Sequence, residues 1–159
     1  MTAEINPEIA SMMRAARDML MHEHSLFASL GIKPILLGVG KTSFSMDLPA
    51  EFADRTGRIH GGLYTLLLDS IMGVTCFTAL KKLQPIATIN LRTDHIAMAD
   101  PGSRAICTST CDQIVGDTAY VSSLLTAEND STLLARSSGA FMIGTRSTPH
   151  EETTKGSRL

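Results

Sequence analysis

Two glycines and one carboxylate carry the most chemical information in this chain. Gly57-Arg-Ile-His60-Gly61-Gly62 leads directly into an apolar run, Leu63–Leu80, whose only charged residue is Asp69. Backbone N–H groups at a helix start have no intrahelical acceptor, and glycine lets a ligand approach them closely. Such an N–H, Gly61's in particular, can donate to a carbonyl oxygen that becomes an oxyanion. The same glycines would also allow the first turn to pack tightly against a strand or a helix. Asp69 has two readings as well. A carboxylate desolvated by apolar neighbours gains basicity and suits a general base or nucleophile. Alternatively it is a core carboxylate satisfied by backbone or hydroxyl groups. Positions 65, 66, 72 and 73 hold no cation, so no intrahelical ion pair accounts for it.

Asp69 follows Gly61 by eight residues, which on a helix is ~12 Å along the axis and roughly 80° of rotation. One helix cannot easily bring both groups to one carbonyl. If they act together, Gly61 comes from one copy and Asp69 from another, with the helices antiparallel about a two-fold axis.

The elements that position these residues are readable from periodicity and turn chemistry. Residues 1–30 read as an N-terminal helix region starting after Pro7 and stopped at Gly31. Ile32–Val39 and Thr42–Leu48 read as short strands joined at Gly40-Lys41, and Pro49–Arg58 as a polar loop. Beyond the helix, Ile86–Met98, Arg104–Val115, Thr118–Glu128 and Thr132–Ile143 are strands. They are separated by Asp100-Pro101-Gly102-Ser103, Gly116-Asp117 and Asn129-Asp130-Ser131, each a turn signal. Such short connections predict an antiparallel meander. Long strands curl with their twist, and the apolar helix is what fills the curl. The expectation is an α+β domain over 1–144, a curved antiparallel sheet wrapped around one central helix, with 145–159 a disordered tail.

Bulk composition narrows the classes. The chain has 159 residues, 43% apolar and 19% charged, with a net charge of −2. This describes one globular domain with no overall attraction for nucleic acid or an anionic membrane, so an anionic ligand must be met by local basic residues. Leu63–Leu80 approaches the length of a membrane span, yet Asp69, Ser70, Gly73 and three threonines favour a core helix. Cys76, Cys107 and Cys111 form no CxxC pair and read as buried small hydrophobes in a reducing, cytoplasmic compartment. His22-Glu23-His24 has the wrong spacing for a helical metal site, and no metal is expected. His95 beside Asp94 reads as a polar pair whose members point to opposite strand faces. Ser157-Arg158-Leu159 resembles a peroxisomal address only weakly.

With Gly57-x-x-His60-Gly61-Gly62 and Asp69 in place, the chain resembles the hotdog-fold acyl-CoA thioesterases, specifically the phenylacetate-pathway, PaaI-like group. The similarity continues through Thr88-Ile-Asn-Leu-Arg-Thr-Asp94-His95 and Pro101-Gly102, covering Ile32 to Gly144. It implies hydrolysis of an acyl-CoA thioester at a homodimer interface, commonly within a homotetramer, with no cofactor beyond the coenzyme A of the substrate. By the same resemblance, the Gly61 N–H polarises the carbonyl, and Asp69 of the partner subunit activates water or attacks directly. His60 orients the loop or assists the leaving sulfur, and Thr88 supplies a hydroxyl near the acid. Asp54 stands where the family commonly has Asn or Gln, and an ionised carboxylate accepts where an amide donates. His95 replaces an aromatic and Ala97 an arginine. Candidate contacts to the substrate are Gly62 and, for the CoA anion, Arg55, Arg58, Lys81, Lys82 and Arg104, with the acyl group along Leu63, Leu66 and Met72. The alternative functions are a non-catalytic acyl-CoA-binding hotdog protein and an enoyl-CoA hydratase or dehydratase.

Overall fold

The computed structural model describes residues 4, 5, 7, 8, 10, 11 and 29–145. Of the expected N-terminal helix, residues 7, 8, 10, 11 and 29 are helical. Residues 12–28, with the His22-Glu23-His24 run, and the tail 146–159 lie outside the described residues.

Among the described residues, seven strands form one sheet: β1 (Glu4–Ile5), β2 (Lys33–Gly38), β3 (Lys41–Asp47), β4 (Ile86–His95), β5 (Arg104–Val115), β6 (Thr118–Ala127) and β7 (Leu133–Ile143). The central helix spans Gly61–Ala79. Strand limits follow the turn residues closely. Gly116, for example, takes φ +58° between β5 and β6, a left-handed conformation that costs glycine nothing.

The strand order is β1-β2-β3-β5-β6-β7-β4, with every pairing antiparallel except the short β1–β2 contact. This corrects the expected meander. β5, β6 and β7 do run side by side, but β4 pairs with β7 rather than with β5, which follows it in sequence. The reason lies in residues 96–103, which cross beside the helix start instead of turning back. Ala99 accepts from the Ile59 N–H and donates to the Tyr64 hydroxyl oxygen, and Gly102 donates to the Leu48 carbonyl. Once the chain has crossed, β5 docks on β3, and β4 is left as an edge.

The helix packs on the sheet through Leu63, Tyr64, Leu67, Leu68, Ile71, Met72, Val74 and Cys76, all buried. Opposite them lie Phe44, Met46, Cys107, Val121, Leu125, Ala135 and Phe141. At ~25 cal/mol per Å² of apolar surface removed from water, this packing dominates the fold's stability. Threonine hydroxyls fix the helix's far end. Thr75 Oγ1 lies 2.6 Å from Thr42 Oγ1, and Thr78 Oγ1 accepts from the Gly40 N–H at 3.1 Å. The helix has the length and hydropathy of a membrane span, but these contacts make it the core of the sheet's curl. Its remaining stripe, Gly62, Leu66, Asp69, Ser70 and Gly73, is exposed or only half-buried.

Candidate active site

The helix start accounts for its N–H groups one by one. His60 is the N-cap, and its Nδ1 accepts from the Gly62 N–H at 2.9 Å. That assigns the neutral His60 proton to Nε2. The Leu63 N–H donates to the His60 carbonyl at 3.0 Å, and the His60 N–H to the Phe52 carbonyl at 2.9 Å. The Gly61 N–H meets no acceptor among the described residues. Of the two glycines singled out by sequence, Gly61 therefore carries the free donor and Gly62 is capped.

Gly61 also answers the packing question raised by its sequence. A Cβ at 61 would stand 2.9 Å from His95 Nδ1 and 3.1 Å from His95 Cε1. The imidazole lies directly against the glycine, stacked on Tyr64 with centroids 6.1 Å apart and planes 24° apart. His95 Nε2 is 3.4 Å from Thr65 Oγ1. Tyr64 is buried, which raises its hydroxyl above the usual tyrosine range. Sequence reasoning put His95 and Asp94 on opposite strand faces without saying which face meets the helix. In the structure Asp94 turns to the outer face, held by Arg136 and Arg92 at 3.0 and 3.1 Å. His95, one residue on, turns to the helix. Strand alternation was the available signal: Leu91, Thr93 and His95 share the helix-facing side of β4.

The second centre lies further along the same helix. Thr88 Oγ1 donates to Asp69 Oδ1 at 3.0 Å. Strict alternation from His95 would point Thr88 outward, but a bulge at Ile89 shifts the register between Thr88 and Asn90. Thr88 thereby pairs with the inward-facing Phe141 and turns toward the helix, the re-aiming that bulges provide. Gly139 makes room for this. A Cβ there would come within 2.9 Å of the Asn90 carbonyl oxygen. Asp69 is half-buried rather than enclosed, because the helix face that bears it is uncovered in the protomer. Among the described residues no cation pairs with it.

The remaining candidates divide. Asp54 Oδ1 accepts from the Thr56 N–H at 2.7 Å and the Thr56 hydroxyl at 2.6 Å, and the Arg58 N–H approaches at 3.4 Å. These bonds, those of Thr56 foremost, hold its carboxyl below the usual range and give it a structural task in its own turn. Arg58 pairs with Asp100 near the helix start. Arg55, Lys81 and Lys82 are exposed, the lysines just past the helix end. Arg104 is bound on the outer face by Asp47 and Glu128 at 3.1 and 3.0 Å, away from both centres. Leu63 and Met72 are buried in the core, and of the proposed acyl contacts only Leu66 is exposed. Burial pushes the Cys107 thiol to about 12 and Cys76 to about 11, so neither is a nucleophile at neutral pH. A polar concavity between Arg92, Thr108, Ser122 and Arg136 opens on the outer face, across the sheet from the helix.

Against known proteins, the thioesterase superfamily model matches residues 56–134, from the helix start into β7. No curated protein matches. The PaaI protein of the Escherichia coli phenylacetic acid degradation operon superposes with a TM-score of 0.70 at 16% identity, covering 79% of this chain and 89% of that one. A mutant of PaaI from Thermus thermophilus gives 0.66 at 22% identity, covering 74% and 97%. A Streptococcus mutans protein solved with acetyl-CoA gives 0.66 at 15% identity, covering 73% and 91%. At such identities the structural likeness speaks for the fold, while the family model speaks for the segment that holds Gly61, Asp69 and Thr88. Residues 56–134 belong to the thioesterase superfamily, and the fold of the chain is the PaaI-like hotdog.

Proposed function

We propose that this protein hydrolyses acyl-CoA thioesters at a site shared by two copies of the chain. The carrying observation is the pair of incomplete centres on one helix. Gly61 offers a free N–H without an acid, and Asp69 offers an acid bonded to a hydroxyl without an oxyanion donor. Their separation of ~12 Å along the axis is too long for one carbonyl and suits two antiparallel helices. The uncovered stripe supports that pairing. Gly62, Ser70 and Gly73 are small, and Leu66 is 48% exposed beside them. Edge strand β4 adds Ile89 at 52% exposure, apolar surface that a second copy would cover.

In the assembled site the thioester carbonyl accepts from the Gly61 N–H, which stabilises the charge that develops on oxygen. Asp69 of the partner subunit takes a proton from water as it attacks, or attacks carbon itself. Thr88 fixes Asp69 Oδ1, so that the second oxygen is presented to the reacting group. The departing alkyl thiol is far more acidic than an alcohol, so it leaves as a thiolate without an obligatory acid. The family model and the acetyl-CoA-bound likeness support the substrate class.

Thiol release from a panel of aryl- and alkanoyl-CoAs, with and without Asp69→Asn, tests the reading. The expected loss in kcat is at least ~100-fold. Full turnover in the variant would remove Asp69 from the mechanism, and an active monomer on sedimentation would remove the shared site. Saturable CoA binding without thiol release would point to a binding protein instead.

A further inference from the structure

We infer that His95 is a second hydrogen-bond donor to the substrate carbonyl, acting beside the Gly61 N–H through its Nδ1–H. The inference rests on the thioesterase reading for its chemistry and on the ring's placement for its geometry. His95 Nδ1 is the atom that a Cβ at position 61 would strike, 2.9 Å away. It therefore lies directly beside Gly61, the residue whose N–H is free. The ring cannot swing freely there, because Tyr64 stacks on one face and Thr65 Oγ1 lies 3.4 Å from Nε2.

The role of the Thr65 hydroxyl sets what Nδ1 can do. When Thr65 donates to Nε2, the neutral imidazole carries its proton on Nδ1 and presents a donor beside Gly61. His60 is the opposite case, since its Nδ1 is committed as acceptor to the Gly62 N–H. With Thr65 as the donor, the two histidines at one helix start take opposite tautomers, one capping the helix and one facing the ligand. His95 is exposed in the protomer, so a carbonyl can reach it. During the reaction the C–O bond forms and the C–S bond breaks, while the carbonyl oxygen gains and then returns an electron pair. His95 hydrogen-bonds that oxygen throughout and transfers no proton.

Two variants and one spectrum test this. His95→Phe keeps a ring on Tyr64 and removes the donor. His95→Asn keeps an N–H close to the Nδ1 position. The expected loss in kcat for His95→Phe is ~100-fold, the scale of one oxyanion donor, with KM changed less than about 3-fold. His95→Asn should recover to within ~10-fold of wild type, on the same scale. Thermal unfolding of both variants separates this loss from misfolding. Imidazole ¹⁵N spectra of the wild-type protein should show His95 protonated at Nδ1, with that proton shifting when a CoA ketone with methylene in place of sulfur is added.

If His95→Phe turns over normally while Asp69→Asn is inactive, this inference falls and the thioesterase reading stands. If the wild type releases no thiol, the thioesterase reading falls. The spectrum then judges His95 alone: a proton on Nε2, or no response to the ketone, overturns the donor role. An Nδ1 proton that responds supports it.

Discussion

Asp69 reaches strand β4 from the helix and Asp94 projects from the strand's other face, and the protein treats them oppositely. Asp94 faces outward between two guanidinium groups, Arg136 Nε at 3.0 Å and Arg92 Nη2 at 3.1 Å. Hydrogen bonds from Arg136 and then Arg92 hold its carboxyl below the usual range. Asp69 faces the uncovered helix stripe and receives one neutral hydroxyl, from Thr88. A carboxylate clamped by cations has its charge spoken for and makes a poor proton acceptor. One held by a single hydroxyl is oriented while its other oxygen stays available. The contrast separates an acid that ties strands together from an acid placed to react.

Neutralising each in turn is the strongest way to break that contrast. Asp69→Asn should lower kcat at least ~100-fold with little change in thermal midpoint. Asp94→Asn should leave kcat within about 2-fold, because its side chain and its arginines lie on the sheet face opposite Gly61, His95 and Asp69, and an exposed ion pair contributes little to the fold that holds them. Comparable losses in steady-state assays of the two variants would show that the comparison does not describe the chemistry.

The next test reaches Asp69 through the backbone that aims its partner. In Gly139→Ala the new methyl would meet the Asn90 carbonyl oxygen at 2.9 Å. That atom is backbone of the bulge and yields only if β4 moves. The expected cost is about 2 kcal/mol of stability, typical of forcing a methyl into filled space, read from denaturant unfolding. A fall in kcat at temperatures where the variant stays folded would show that the bulge serves Thr88. A stable, fully active variant would mean that β4 shifts without consequence.

Thr88→Val removes the hydroxyl and keeps the shape. A loss of ~10-fold in kcat, about 1.4 kcal/mol of barrier, is expected in thiol-release assays. Thr88→Ser should restore most of it.

The parts of this site that sequence made legible are those determined locally. His60 as N-cap and Gly61 as first helical residue follow from residue type and order, and so do the strand limits at Gly40 and Gly116. The distance between Gly61 and Asp69 follows from helical rise alone. What was not legible depends on where the chain goes after a short turn. Asp100-Pro101-Gly102-Ser103 reads as a hairpin, but Gly102 and Ser103 bond to Leu48, so β5 joins β3 and β4 becomes the edge. That rearrangement lays His95 against Gly61, a contact between residues 34 apart. The bulge at Ile89 was equally hidden, since it interrupts the alternation from which strand faces are read. Asp54 looked chemical because of its family position. Its Oδ1 has a task in its own loop, accepting from Thr56 and from the Arg58 N–H.

The smallest effect sharpens the other side of the comparison, and its sign is determined. The folded-state carboxyl of Asp94 titrates below its unfolded value, which is about 3.9. The ionised form is therefore the one the fold favours. Its contribution is fully present above the unfolded value and disappears as pH falls through the folded one. Above pH 5 the midpoint of Asp94→Asn should sit slightly below that of wild type. Between about pH 4 and stronger acid the two curves should converge, because wild type loses what the variant never had. Salt should narrow the gap at neutral pH, since Arg92, Arg136 and Asp94 are all at least partly exposed. Thermal melts across pH 2.5–7 at two ionic strengths measure both trends. Parallel curves would mean that Asp94 is not held by its arginines in solution, and the distinction from Asp69 would then rest on position alone.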